Sequence, residues 1–111
     1  MVEYSLSLDS IFGSLADPTR RDILRRIAEK ELPVSEIAQP YNMSLAAISK
    51  HLKILTNAKL VMKRRKGKQQ FISLSPAAFK DAETYLRQYG QQINRQFDAL
   101  EKYLSEEKAK E

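Results

Sequence analysis

The residues of this chain best suited to do chemistry form one run, Ser44–Lys59, and what they suit is contact with a polyanion rather than catalysis. In SLAAISKHLKILTNAK, helical spacing puts Leu45, Ile48, Leu52 and Leu55 on one face. Ala46, Ala47, Ser49, Lys50 and Lys53 fall on the other, which is small and hydroxylic at its leading end, cationic further on, and free of acids. A helix held only for packing mixes both signs of charge on its wet side. Short side chains at the leading end let a backbone approach the floor of a nucleic-acid groove, and amines further along meet the flanking phosphates. Ser44 stands where an N-cap belongs, so unpaired N–H groups and the positive end of the helix dipole lie at that same end. These features imply a recognition helix for double-stranded DNA. The alternative is an ordinary amphipathic helix in a small bundle.

The charge distribution along the chain favours the first. Residues 1–36 carry a net −2 and residues 81–111 another −2, whereas residues 37–80 hold nine basic side chains and no acid. Such a segment repels itself unless a polyanion compensates it. At 111 residues the chain has material for one domain with a modest core, and 42% hydrophobic content suits a globular protein. No apolar run approaches the ~18 residues a membrane span requires, and no signal peptide is evident, so a cytoplasmic location without membrane contact is expected. The absence of cysteine removes disulfides, thiolate metal sites and cysteine redox chemistry. His51 is the single histidine, which makes a poor metal centre. There is no Gly-rich phosphate loop and no paired-acid motif, so neither an enzyme nor a bound cofactor is expected.

The elements that must position this run can be read in order. Leu8, Ile11, Phe12 and Leu15 have the spacing of a short amphipathic helix over residues 7–16. Asp17-Pro18 then caps and starts a second helix to Lys30, which buries Ile23, Leu24 and Ile27 and leaves Arg20, Arg21, Arg25 and Arg26 on a solvated face of mixed charge. Leu32-Pro33 breaks that helix, and a short third one, Val34–Gln39, ends before Pro40. A turn of about four residues separates it from the recognition helix, which completes a helix-turn-helix over residues 34–59.

Residues 61–74 change to an extended pattern around Lys66-Gly67-Lys68. They read as a two-stranded hairpin, a wing, with five cations within Lys63–Lys68. A basic ribbon tip suits the minor groove beside the helix's major-groove site. Ser75-Pro76 starts a last helix over residues 76–104, whose near-heptad stripe includes Leu86, Tyr89, Ile93, Phe97, Leu100 and Leu104. One small domain cannot cover such a stripe, so a second copy is expected to pair through the first and last helices. Gly90 within it suggests a close backbone approach or a slight bend, and the residues after Ser105 read as a fraying charged end.

Three phrases, LADPTRRDIL (15–24), VSEIAQPYNMSLAAISKHLKIL (34–55) and FISLSP (71–76), resemble the ArsR family of dimeric winged-helix transcriptional repressors, over roughly residues 8–104. The resemblance implies a mainly α fold with a small β-hairpin, in the order α-α-α-α-β-β-α, as a single domain over residues 1–111. It also implies an obligate homodimer on a pseudo-palindromic operator. Carried over by position, Ser44, Ala46, Ala47, Ser49, Lys50 and Lys53 face the major groove and its phosphates, with His51 on the same helix as a packing or phosphate-contacting residue. Arg64, Arg65, Lys66 and Lys68 form the wing. Leu8, Ile11, Phe12, Leu15, Leu86, Tyr89, Ile93, Phe97, Leu100 and Leu104 form the dimer interface.

Family members that sense metals use a cysteine pair where this chain has Leu32-Pro33-Val34-Ser35, or an aspartate, two histidines and a final acid or histidine where it has Asp81, Glu83, Asn94 and Phe97. No metal switch is therefore expected, and the effector is not identified. The rival functions are a protein-interaction module on a winged-helix scaffold and a metal- or ligand-responsive sensor with a non-standard effector site.

Overall fold

In a computed structural model the backbone is described for residues 2–110 and the side chains for residues 8–109. Helix α1 spans Val2–Leu15 and α2 spans Pro18–Glu29. Between them Asp17 adopts an extended backbone and its carboxylate accepts from the Arg20 amide at 2.9 Å, while Pro18 occupies the first turn. An orphan donor is thus satisfied, and the proline sits where its missing N–H costs nothing. Ile23, Leu24 and Ile27 point inward, at the spacing their sequence positions predict.

Leu32-Pro33 does more than end a helix. It forms a two-residue strand, β1, antiparallel to β3 (Gln69–Leu74), with Leu32 opposite Ile72 and Pro33 opposite Phe71. Strand β2 (Val61–Lys66) pairs on the other side of β3, so the expected two-stranded wing is a three-stranded sheet in the order β1-β3-β2. The order of elements is accordingly α-α-β-α-α-β-β-α. A proline cannot donate to a ladder, which confines β1 to the sheet edge and to so short a length. Central β3 places fully buried Ile72 against the helices, giving the hairpin the support it would lack alone. Register Lys66↔Gln69 leaves a two-residue loop, and Gly67 at its first position takes φ +64°. That conformation matches the right-handed strand twist and suits glycine.

Helix α3 spans Val34–Ala38 and α4 spans Leu45–Asn57. After α4, Lys59 takes the left-handed φ of 61° and the Leu60 amide reaches back to the Leu55 carbonyl at 3.1 Å, closing the helix end and turning the chain into β2. Ile11, Ile23, Ile37, Ile48, Leu55, Leu60 and Ile72 form the centre of the core.

Helix α5 spans Pro76–Lys110, 35 residues and about 52 Å at ~1.5 Å per residue. It runs unbroken through Gly90, where a Cβ would meet no neighbour within 4 Å outside the helix's own backbone, and through the segment after Ser105 that reads as a fraying end. Glu106, Lys108 and their neighbours are good helix formers with no breaker among them. Ala78 and Ala82 are buried on the body, and the Tyr85 ring meets Phe12 of α1 at 5.8 Å between centroids. From Leu86 onward the large apolar side chains are exposed, and the molecule measures 72 Å along its longest axis against 34 and 21 Å across.

Candidate nucleic-acid interface

Helix α4 starts where its cap dictates. Ser44 has φ −66° and ψ 156°, and its Oγ accepts from the Ala47 amide at 3.1 Å. One acceptor site of the hydroxyl is thus engaged by its own helix, and its proton remains able to donate outward. Ile48, Leu52 and Leu55 anchor the opposite face in the core. Ala46, Ser49, Lys50 and Lys53 are exposed, and Ala47 is half-buried. Leu45 does not join the inner stripe. It is 65% exposed, because the first turn of α4 extends past the end of the core that receives Ile48.

His51 is held inward, with 19% of its side chain exposed. Its Nδ1 lies 3.3 Å from Arg20 Nη1 and 3.8 Å from Asp17 Oδ2. The shorter contact is the hydrogen bond, and since arginine has only donors, Nδ1 is the acceptor. His51 therefore docks α4 onto the start of α2, a packing role rather than a groove-facing one. Arg20 is the hub of this junction: its Nε donates to the Ser14 carbonyl at 2.7 Å and its Nη2 to the Gly13 carbonyl at 3.3 Å. Arg21 donates to the Leu15 carbonyl at 2.8 Å. Together these two arginines cap the C-terminus of α1, where cations and donors are favoured. The Arg20 backbone amide, and then the Arg20 guanidinium, hold the Asp17 carboxyl below the usual carboxylate range against the opposing effect of desolvation.

Of the other two arginines of α2, Arg26 is committed to a neighbouring element and Arg25 to its own helix. Arg26 donates to the Glu36 and Ile37 carbonyls, both at 2.9 Å, and lies over the Tyr41 ring. Arg25 pairs with Asp22, which also accepts from the Tyr41 hydroxyl at 2.5 Å. The Tyr41 hydrogen bond first, and Arg25 second, lower the Asp22 carboxyl below its usual range. Three of the four arginines expected on a solvated mixed face, Arg20, Arg21 and Arg26, thus brace α1, α3 and the turn before α4, while Arg25 stays on such a face, exposed and paired with Asp22 of its own helix. Sequence spacing could not reveal this, because most of their acceptors are backbone carbonyls of other elements.

On the wing, Lys63, Arg65, Lys66 and Lys68 are exposed. Arg64 is already engaged: it grips Glu31 through Nη2 at 2.5 Å and Nε at 3.2 Å and lies over Phe71, 5.7 Å from the ring centroid. The Arg64 hydrogen bonds hold the Glu31 carboxyl below its usual range. Arg64 therefore fastens the wing to the segment before β1, with 58% of its side chain still exposed. No ion pair within 4 Å among the described residues includes Lys50, Lys53, Lys63, Arg65, Lys66 or Lys68.

The residues expected at a dimer interface divide in two. Leu8 and Ile11 are buried within the protomer itself, Ile11 at 1% exposure, because that side of α1 faces the body. They are core residues. Phe12 and Leu15 are half-buried, and they border an apolar hollow with Phe79, Ala82 and Leu86. Leu86, Tyr89, Ile93, Phe97, Leu100 and Leu104 lie exposed along α5. Asp81 and Glu83 are exposed on the same helix, and among the described residues no three of histidine, cysteine, aspartate and glutamate come together as a metal-holding group. No described helix is long and apolar enough to cross a membrane.

A family model described as a helix-turn-helix domain matches residues 15–64. The chain is 32% identical to the transcriptional repressor SdpR of Bacillus subtilis over 79 residues, 71% of this chain and 88% of SdpR. Its fold is similar to that of the ArsR family transcriptional regulator RHA00566, with a TM-score of 0.76 and 29% identity over 81% of this chain and 93% of that one. It is also similar to Mb0332 of Mycobacterium bovis, described as a homodimeric winged helix-turn-helix DNA-binding domain, with a TM-score of 0.61 and 27% identity over 72% and 76% of the two chains.

Proposed function

The chain belongs to the ArsR family of winged helix-turn-helix transcriptional regulators, and from that premise we propose that it is a homodimeric repressor that occupies an inverted-repeat operator in double-stranded DNA. The observation that carries this is the acid-free outer face of α4, with Ser49, Lys50 and Lys53 exposed, together with a hairpin whose Lys63, Arg65, Lys66 and Lys68 have no ion-pair partner among the described residues. Each protomer lays α4 in a major groove, with half-site centres about 34 Å or a multiple apart. The lysines and Arg65 supply affinity through the phosphates, and Ser44, Ala46 and Ser49 supply base contacts, supplemented by DNA shape. Repression follows from occupying a promoter, with no reaction catalysed and no cofactor required, in the cytoplasm.

Fluorescence anisotropy on random and genomically selected duplexes, from dilute buffer to physiological salt, tests this. Binding to any duplex at low salt, and tighter binding to a selected inverted repeat as salt rises, is the expected result. Indifference to duplex DNA in dilute buffer overturns it.

A further inference from the structure

We propose that Leu45 is a specificity residue that reads thymine, by packing its side chain on the C5-methyl group of that base in the major groove. The proposal rests on the function proposed above, since it requires α4 to lie in the groove. Leu45 is the most exposed of the large apolar side chains described, at 65%. Seven others, from Leu86 to Leu104, form the α5 stripe, which a second copy of the chain can cover. Leu45 lies on a different element and belongs to no such stripe.

Its position along the helix axis, more than its angle, accounts for this. At about 100° per residue, Leu45 stands about 40° from exposed Ser49 and about 100° from exposed Ala46, at the edge of the exposed face of α4. Buried Leu52 lies only about 20° to the other side, so Leu45 borders the core stripe in projection. The first residue of α4 that the core receives is Ile48, nearly one turn further along the helix.

The other side chains at the leading end of α4 are short. Ser44 Oγ accepts from the Ala47 amide and keeps its proton to donate, and Ala46 ends in a methyl group. Leu45 is the one long side chain in that first turn, and it carries no donor or acceptor. Among the base-pair edges of the major groove the thymine C5-methyl is the one apolar group, so an apolar probe can discriminate there and nowhere else. Lys50 and Lys53, which point to phosphates, fix register without reading sequence. Leu45 adds sequence information where the charged residues add none.

The test replaces thymines of a selected high-affinity duplex one at a time by deoxyuridine, which pairs identically and lacks only the methyl group. Wild type is expected to lose about fourfold in affinity at one thymine in each half-site, the worth of one buried methyl group, and about fifteenfold when both half-sites are changed. Leu45→Ala, harmless to a core that this side chain does not enter, is expected to bind the thymine and uracil duplexes equally. Its salt dependence should match that of wild type. If every thymine can be replaced without separating wild type from Leu45→Ala, or if the selected half-sites contain no thymine, the proposal fails while the DNA-binding function stands. A wild-type protein that binds no duplex at all removes both.

Discussion

Phe97→Arg should dissolve the dimer while leaving the winged-helix body intact. Phe97 lies on the part of α5 beyond the body and is 63% exposed. A phenylalanine side chain presents roughly 200 Å², so about 120 Å² of Phe97 remains in water in a lone protomer. Leu86, Tyr89, Ile93, Leu100 and Leu104 are each about half exposed. The stripe thus offers on the order of 600 Å² per protomer, and two stripes facing each other reach the ~1,200 Å² at which specific interfaces begin. At ~25 cal/mol per Å², Phe97 contributes about 3 kcal/mol per protomer, and a twofold interface loses that twice. Even if half of it is recovered by rearrangement, about 3 kcal/mol remains, which weakens the dimer at least a hundredfold. Two arginines brought onto the shared apolar seam add to the loss.

Sedimentation equilibrium measures the effect directly, with Gln88→Arg on the opposite side of α5 as the control that should change nothing. Amide-exchange protection at Ile23, Ile48 and Ile72 should survive in Phe97→Arg, because the core containing them does not include Phe97. Operator affinity should fall with dimerisation, since each half-site then binds without the effective concentration provided by the other. Wild type sedimenting as a 12.8 kDa monomer at micromolar concentration, or Phe97→Arg retaining the wild-type association constant, would refute the reasoning.

Two further outcomes follow from charges whose surroundings are now known. Lys66→Ala should flatten the slope of log affinity against log salt by about 0.9 for each phosphate left without its cation, or about two for a dimer. Arg64→Ala should flatten it much less, because Glu31 already holds that guanidinium; equal slope changes would contradict the pairing. The second outcome is acid sensitivity. Asp17 and Asp22 both have carboxyl groups held below the usual range, so on acidification the unfolded chain takes up protons first. Their contribution is complete above about pH 5 and is lost as pH falls through the folded-state values. Tyr41→Phe removes the largest cause of the Asp22 shift, so urea denaturation should show it less stable than wild type at pH 7, with the gap narrowing by pH 3. A gap of constant size would dissociate Tyr41 from the titration.

The helices were legible because their signals are local. Asp17 and Ser44 cap helices whose inward positions recur every three or four residues, and both the caps and the period lie within a dozen residues of sequence. Strand β1 was not legible, because two residues cannot display a period and their partners Phe71 and Ile72 lie some 40 positions away. Three of the four arginines of α2 were misplaced for a related reason, Arg25 alone lying exposed beside Asp22 as expected. Composition records that Asp22 and Glu29 lie among them, whereas what binds Arg20, Arg21 and Arg26 is a set of carbonyls that every residue type possesses.

Where the site was misjudged, each case turns on something that a helical projection or a count of charges discards. Projection identifies the face of a helix and is silent about where along the axis the core stops. Leu45 shares an angle with the buried stripe and overshoots it by a turn, whereas Leu8 and Ile11 share α1 with Phe12 and Leu15 and are claimed by the protomer itself. A charge count likewise treats every cation of residues 37–80 as available. Glu31, from the acidic first third of the chain, returns to the wing and claims Arg64, and its lowered carboxyl also feels Lys66. The surface left for a phosphate backbone is therefore less positive at the base of the hairpin than at its tip. Glu31→Gln should consequently strengthen duplex binding at low salt, by releasing a cation that the fold otherwise keeps for itself, and an unchanged affinity would show that Arg64 lies out of reach of the DNA.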